Sequence, residues 1–174
     1  MPTLQMRILG LDPGLRLTGY GLVQVRTVSA QPELVDAGVI RLDTKATIPA
    51  RLEELERELG LLVDELKPDT AAVETLYAHY AHPRTAILMG HARGVLLLVA
   101  QRKGLAIHEF AANRIKQAIS GHGHASKVQM QRAVQSLFRL AKAPEPPDVA
   151  DALAVALCCA QHTLSMRRMP GGSS

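Results

Sequence analysis

Met6-Arg7-Ile8-Leu9-Gly10-Leu11-Asp12-Pro13-Gly14 is an apolar run that breaks into a turn on an aspartate. It reads as a buried strand followed by a turn, because Pro and Gly preset the backbone angles a turn requires. Gly19–Arg26 has the same strand character and is expected to return beside the first as an antiparallel neighbour; Leu34–Leu42 makes a third strand. From Pro49 to Leu66 the pattern changes, with Leu52, Leu55, Leu59, Leu62 and Leu66 at helical spacing and Glu/Arg on the other face. Thr70–Glu74 is a short strand, Pro83–Lys103 a helix closed by Gly104, and Leu105–Phe110 a fifth strand. Helices are expected over Ala112–Ser120, Ser126–Leu140 and Asp148–Arg168, with Gly121–His124 a loop and Lys142–Pro147 a Pro-rich breaker. The order β-β-β-α-β-α-β-α-α-α predicts an α/β fold: a five-stranded mixed sheet, its first three strands antiparallel, with helices on both faces. Gly90 and Gly94 cost helix stability, which points to close packing at that helix.

The 174 residues suit one domain, expected over 1–168, with 169–174 a disordered tail. A chain of this size can bury roughly 70% of its unfolded surface without staples. Cys158 and Cys159 are adjacent and cannot form a normal structural bridge, so a reducing, cytoplasmic compartment is expected. The N-terminal apolar stretch is short and carries Arg7, and Val95–Ala100 is far below the roughly 20 residues of a spanning helix, so neither a signal peptide nor a membrane partner is expected. Charge is divided unevenly. Up to residue 75 there are 8 Lys/Arg and 12 Asp/Glu; from residue 76 there are 12 and 4. A basic half suits a polyanion such as nucleic acid.

Four carboxylates stand where ordinary surface does not explain them. Asp12 ends the opening strand, Glu74 ends Thr70-Ala71-Ala72-Val73, and Asp148 and Asp151 open the last helix three residues apart. Three have a plain reading, and Glu74 has a weaker one, because Glu is disfavoured in strands. Asp12 suits a turn, and Asp148 with Asp151 resembles a helix cap. Together they suggest more, because like charges a few ångströms apart call for a divalent cation. Metal-assisted phosphoryl chemistry is the reading that uses all four.

The remaining candidates are weaker. His79 with His82, and His122 with His124, have no cysteine nearby and do not make a zinc-finger pattern. Gly121–Lys127, followed by Arg132, reads as a basic loop entering a helix, without the Gly-Lys-Ser/Thr spacing of a Walker motif. Tyr77 lies three residues past Glu74, in a position to stack on an unpaired base or simply to pack on the protein edge.

Taken in order, Leu9-Gly10-Leu11-Asp12-Pro13-Gly14, Thr18-Gly19-Tyr20-Gly21, Ala72-Val73-Glu74, Gly90-His91-Ala92-Arg93-Gly94 and Asp148-Val149-Ala150-Asp151-Ala152-Leu153-Ala154 resemble the RuvC-type Holliday-junction resolvases. The resemblance spans about residues 6–162. It implies a ribonuclease-H-like fold and a homodimer that resolves four-way DNA junctions by paired nicks in recombination and repair. Asp12, Glu74, Asp148 and Asp151 match the family's acidic tetrad, implying two magnesium or manganese ions per site. Lys116 and Lys127 match its basic positions near the cut, and Tyr77 falls where Phe is common. Arg84, Arg114 and Arg132 are further candidates for contact with DNA. A branch-migration motor of the RuvA/RuvB type is the implied partner.

Two departures stand out. Residues 77–82 are histidine-rich and His91 replaces a usual Gln, while the loop before Lys127 lacks a usual acid. The helix around Gly90 and Gly94 is the candidate dimer contact. An ATP-handling protein of the actin and sugar-kinase class is a rival, disfavoured by the need for two lobes; a nucleic-acid-binding module that does not cut is another.

Overall fold

Along the opening strand, successive side chains enter two different cores. A computed structural model describes residues 5–26, 31–76 and 83–168. In β1 (Met6–Asp12), Met6 and Ile8 join one buried cluster while Leu9 and Leu11 join the other. A strand covered on both faces reads as one continuous apolar run, because the pleat sends alternate residues to opposite sides. β2 (Leu17–Val25) and β3 (Glu33–Arg41) pair antiparallel, and β2 pairs antiparallel with β1. β4 (Thr70–Glu74) lies parallel to β1, and β5 (Ala106–Phe110) parallel to β4. The sheet order is β3-β2-β1-β4-β5. The expected mixed sheet is present, with the opening strand at its centre between an antiparallel neighbour, β2, and a parallel one, β4.

Helices cover both faces. α1 (Ile48–Leu66) buries Leu55, Leu59 and Val63, and α2 (Pro83–Arg102) buries Ala92, Leu96 and Val99, against Leu9, Leu11, Leu22 and Val73. On the opposite face, α3 (Ala112–Ser120), α4 (Lys127–Leu137) and α5 (Pro147–Arg168) enclose Ile8, Val23, Ala72 and Phe110. α5 is long and apolar enough to cross a membrane by length and composition. Its burial explains that composition: 67% of the segment lies inside the protein, as in a core helix apolar all round.

One expectation is corrected. The helix expected over Ser126–Leu140 ends at Leu137, because Arg139 turns left-handed at φ 52° and the Leu140 amide donates to the Gln135 carbonyl across the turn. Its start is sharper than its end, with Ser126 and Gln129 forming a reciprocal capping box. Among the described residues a Cβ at Gly90 or Gly94 would meet nothing within 4 Å, so the close packing these glycines point to is not supplied by that part of the chain. That side of α2 instead leaves Ile87 61% and Leu98 46% exposed. The expected disorder of 169–174 lies outside the described residues.

Candidate active site

Asp12 and Glu74 are the final residues of two adjacent parallel strands, one position past the Leu11–Val73 pair. Alternation places both side chains on the α5 face, in line with Ile8 and Ala72. The carboxyl ends of parallel strands are where open α/β sheets gather functional groups.

Asp148 and Asp151 reach the same end of the sheet because glycines let α5 lie directly on it. A Cβ at Gly10 would fall on the Ala152 carbonyl oxygen, and would stand 2.7 Å from the Ala156 amide nitrogen. One at Gly19 would fall on the Asp148 carbonyl oxygen, and Gly19 is the strand partner of Asp12. The missing side chains seat the first turns of α5 over the end of β1. Gly10, Gly19 and Gly21 are small residues inside strands, and nothing in the local pattern names the helix that fills the space above them. Neither aspartate makes a capping hydrogen bond among the described residues; the Asp151 carboxylate instead meets the Lys127 ammonium at 3.1 Å.

Two clefts meet here. A larger one of about 690 Å³ is lined by Asp12, Asp148, Asp151 and Lys127, and extends to Arg16, Arg51, Leu88 and Met89. A smaller one of about 290 Å³ is lined by Asp12, Glu74, Asp151, Lys116 and Lys127. Asp12, Asp151 and Lys127 form the boundary between them. Arg51 was unremarkable in sequence, one of the charges along α1. It donates from Nε to the Ala46 carbonyl and from Nη1 to the Leu15 carbonyl, at 3.1 and 3.4 Å, tying the turn after Asp12 to the helix.

The crowding of acids has an electrostatic cost. Burial and the charges of Asp151, Asp148 and Glu74 push Asp12 up to about 7, with Lys127 pulling the other way. Partial burial and Asp151 raise Glu74, against the pull of Lys116. Desolvation lowers the Lys127 ammonium, but the bond to Asp151 and the charges of Asp12 and Asp148 outweigh it and hold it above its ordinary value. Among the described residues no three His, Cys, Asp or Glu side chains stand close enough to enclose one ion. The four acids share one region without closing on a point, as expected of mutually repelling carboxylates with Lys127 inserted beside them. Their donors are hard oxygens, which suit magnesium, calcium or manganese better than softer metals. A proton held to about pH 7 on Asp12 marks where positive charge is wanted.

The other expected residues divide. Lys116 and Lys127 join the clefts. Arg114 does not: it points along α3 to the far part of α5, donating to His162 Nδ1 at 2.8 Å and lying over the Phe110 ring at 5.4 Å. Burial, Arg114 and His108 hold the His162 imidazole below its ordinary value, which keeps it an acceptor. Arg132 and His122 line a separate surface hollow of about 400 Å³ between α3 and α4. Arg84 is exposed in the first turn of α2 and lines neither acidic cleft, and His124 is exposed. Tyr77, His79 and His82 lie outside the described residues.

The chain is similar over most of its length to known proteins. Residues 8–159 match the family model described as crossover junction endodeoxyribonuclease RuvC. The chain is 42% identical over 164 residues to the protein of that name from Alkaliphilus oremlandii, covering 94% of this chain and 98% of the relative. It is 43% identical over 153 residues to that from Rhodopirellula baltica, covering 87% and 84%. Among solved structures, Thermus thermophilus RuvC in complex with a Holliday junction substrate superposes with a TM-score of 0.84 at 29% identity, covering 92% of this chain and 96% of that one. The yeast mitochondrial Holliday junction resolvase shares the fold, with a TM-score of 0.66 at 16% identity over 94% of this chain and 82% of that one.

Proposed function

We propose, because the chain belongs to the RuvC family of crossover junction endodeoxyribonucleases, that it resolves four-way DNA junctions by paired nicks at the carboxylate cluster of β1, β4 and α5. The observation that carries this reading is the convergence of four acids, distant in sequence, on two adjoining clefts with Asp12 pushed up to about 7. Family membership implies dependence on a divalent cation. The finer reading is two ions, magnesium or manganese, held by Asp12, Glu74, Asp148 and Asp151, with Asp12 and Asp151 facing both clefts. Bound there, the ions would supply an activated water and Lewis-acid stabilisation of the departing 3′ oxygen.

The chain's own residues do the rest. Asp12 must release its proton before it can serve as a ligand, so its elevated value couples metal loading to pH. Lys127 exchanges its contact with Asp151 for the scissile phosphate, and Lys116 approaches from the Glu74 side; together they offset the charge that builds on phosphorus. Leu88 and Met89 give the larger cleft an apolar wall suited to a base or sugar of a distorted strand. Tyr77 is the candidate to stack at the opened crossover, and Arg84, Arg114 and Arg132 are candidates for backbone contact away from the cut. The products are a 5′-phosphate and a 3′-hydroxyl.

Paired nicking asks for a two-fold protein, since the junction has approximate two-fold symmetry. The exposed stripe of α2 through Ile87, His91, Gly94 and Leu98 is the proposed contact between two copies. A protein of this activity acts on DNA inside the cell, in the cytoplasm of a bacterium, and a RuvA/RuvB-type motor is the proposed source of its junctions.

The test is a cleavage assay with end-labelled four-way junction and linear duplex of the same sequence. Symmetric nicks in the junction alone, dependent on Mg²⁺ or Mn²⁺ and abolished by chelator, are expected. Junction binding without cutting would favour a non-catalytic module, and ATP hydrolysis without DNA would favour the phosphotransferase reading.

A further inference from the structure

Arg93 lies on α2, on the opposite face of the sheet from the acids, with its side chain only 15% exposed. Its Nε donates to the backbone carbonyl of Glu74 at 3.3 Å, and its Nη2 pairs with the Glu109 carboxylate. Glu109 is the strand partner of Val73, so one guanidinium grips β4 and β5 together at the point where β4 ends. From the β5 side, the Thr75 amide donates to the Phe110 carbonyl at 2.9 Å. The last residue of β4 is thus pinned on two sides just before the chain leaves the sheet. Because Glu74 projects toward α5 and Val73 toward α2, Arg93 can act on the Glu74 carboxylate through the main chain alone.

We propose that Arg93 is a positioning residue for Glu74: its guanidinium spans the Glu74 carbonyl and the Glu109 carboxylate and so sets where the Glu74 side chain stands. The proposal rests on the reading of Glu74 as part of the cutting site. Arginine suits the task because its planar fork presents several donors at fixed angles and stays charged at any working pH. A lysine would keep the charge beside Glu109 but could not hold both acceptors in one geometry. An ion pair serving stability alone would need no bond to the strand's last carbonyl.

The experiment compares the full-length parent, Arg93→Gln and Arg93→Lys for thermal stability, junction affinity, single-turnover cleavage, and the Mg²⁺ concentration giving half-maximal cleavage. Arg93→Gln should cut about 10- to 100-fold more slowly, as expected when a reacting group is displaced by about an ångström. Its junction affinity should stay within about threefold of the parent, and its Mg²⁺ requirement should rise severalfold, a shift that lost stability would not produce. Arg93→Lys should recover much of the melting temperature and little of the cutting rate. The proposal is overturned if Arg93→Lys cuts like the parent, or if Arg93→Gln loses rate with an unchanged Mg²⁺ requirement. A parent that leaves the junction whole would overturn the nuclease reading and this proposal together; a cutting parent with parent-like variants overturns this proposal alone.

Discussion

Asp12 ends β1 with three other carboxylates around it and Lys127 as the opposing charge, so its proton is hard to remove. Its folded value of about 7 lies above the ordinary 3.8, and the metal-free folded protein therefore binds the extra proton between those limits. Asp12's contribution to stability is fully present below about pH 4 and is lost as pH rises toward 7, by up to about 4 kcal/mol. Thermal unfolding in chelator should show the melting temperature falling from pH 5 to 7.5, with Mg²⁺ restoring much of it at the higher pH and Asp12→Asn flattening the profile. A flat profile for the parent in chelator would remove the electrostatic argument. At this scale the acids were legible in sequence because an aspartate after an apolar strand and a glutamate ending another have few ordinary explanations. Lys127 was legible as a basic residue, but its contact with Asp151 depends on a capped helix arriving from another part of the chain. Arg51 was hidden among the charges along α1, and Arg93, though it stands in a motif that carries the resemblance, had no role to read, since what distinguishes both is the backbone carbonyls they reach.

The strands and helices follow from alternation, helical spacing and turn residues, which are local and therefore readable. What was not readable was which element seats the acids of the last helix. Gly10 and Gly19 make sense only once α5, more than a hundred residues later, is laid across them. Glycines look alike in sequence whatever faces them: at Gly90 and Gly94 no described residue would stand within 4 Å of an added Cβ. Substitution separates the two cases. Gly19→Ala puts a methyl on the Asp148 backbone, which cannot yield as a side-chain end would; a cost of about 1–3 kcal/mol is expected, with a greater loss of cleavage than of junction binding. Gly60→Ala, within α1 and with only the Lys103 Cε near it, at 3.9 Å, among the described residues, should raise stability by up to about 1 kcal/mol. Paired melting and cleavage measurements check both; a neutral Gly19→Ala would mean that α5 is not held by close approach to β1 and β2.

As a whole the molecule presents its four clustered acids at one end of the sheet, with Lys116 and Lys127 beside them. One such site can make one nick. If the exposed stripe of α2 is the contact between two copies, the parent should sediment as a dimer and Leu98→Glu, which places a charge there, as a monomer with its fold unchanged. Nicks on the two strands of a junction should then become uncoupled. A variant that remained dimeric with paired nicks would move the contact elsewhere. The central claim is that the gathered carboxylates cut the junction. It is tested most directly by measuring junction affinity and single-turnover cleavage for the parent and Asp12→Asn at saturating Mg²⁺. The amide should bind the junction within about threefold of the parent and cut at least about 100-fold more slowly. Cutting at the parental rate by Asp12→Asn would contradict the account.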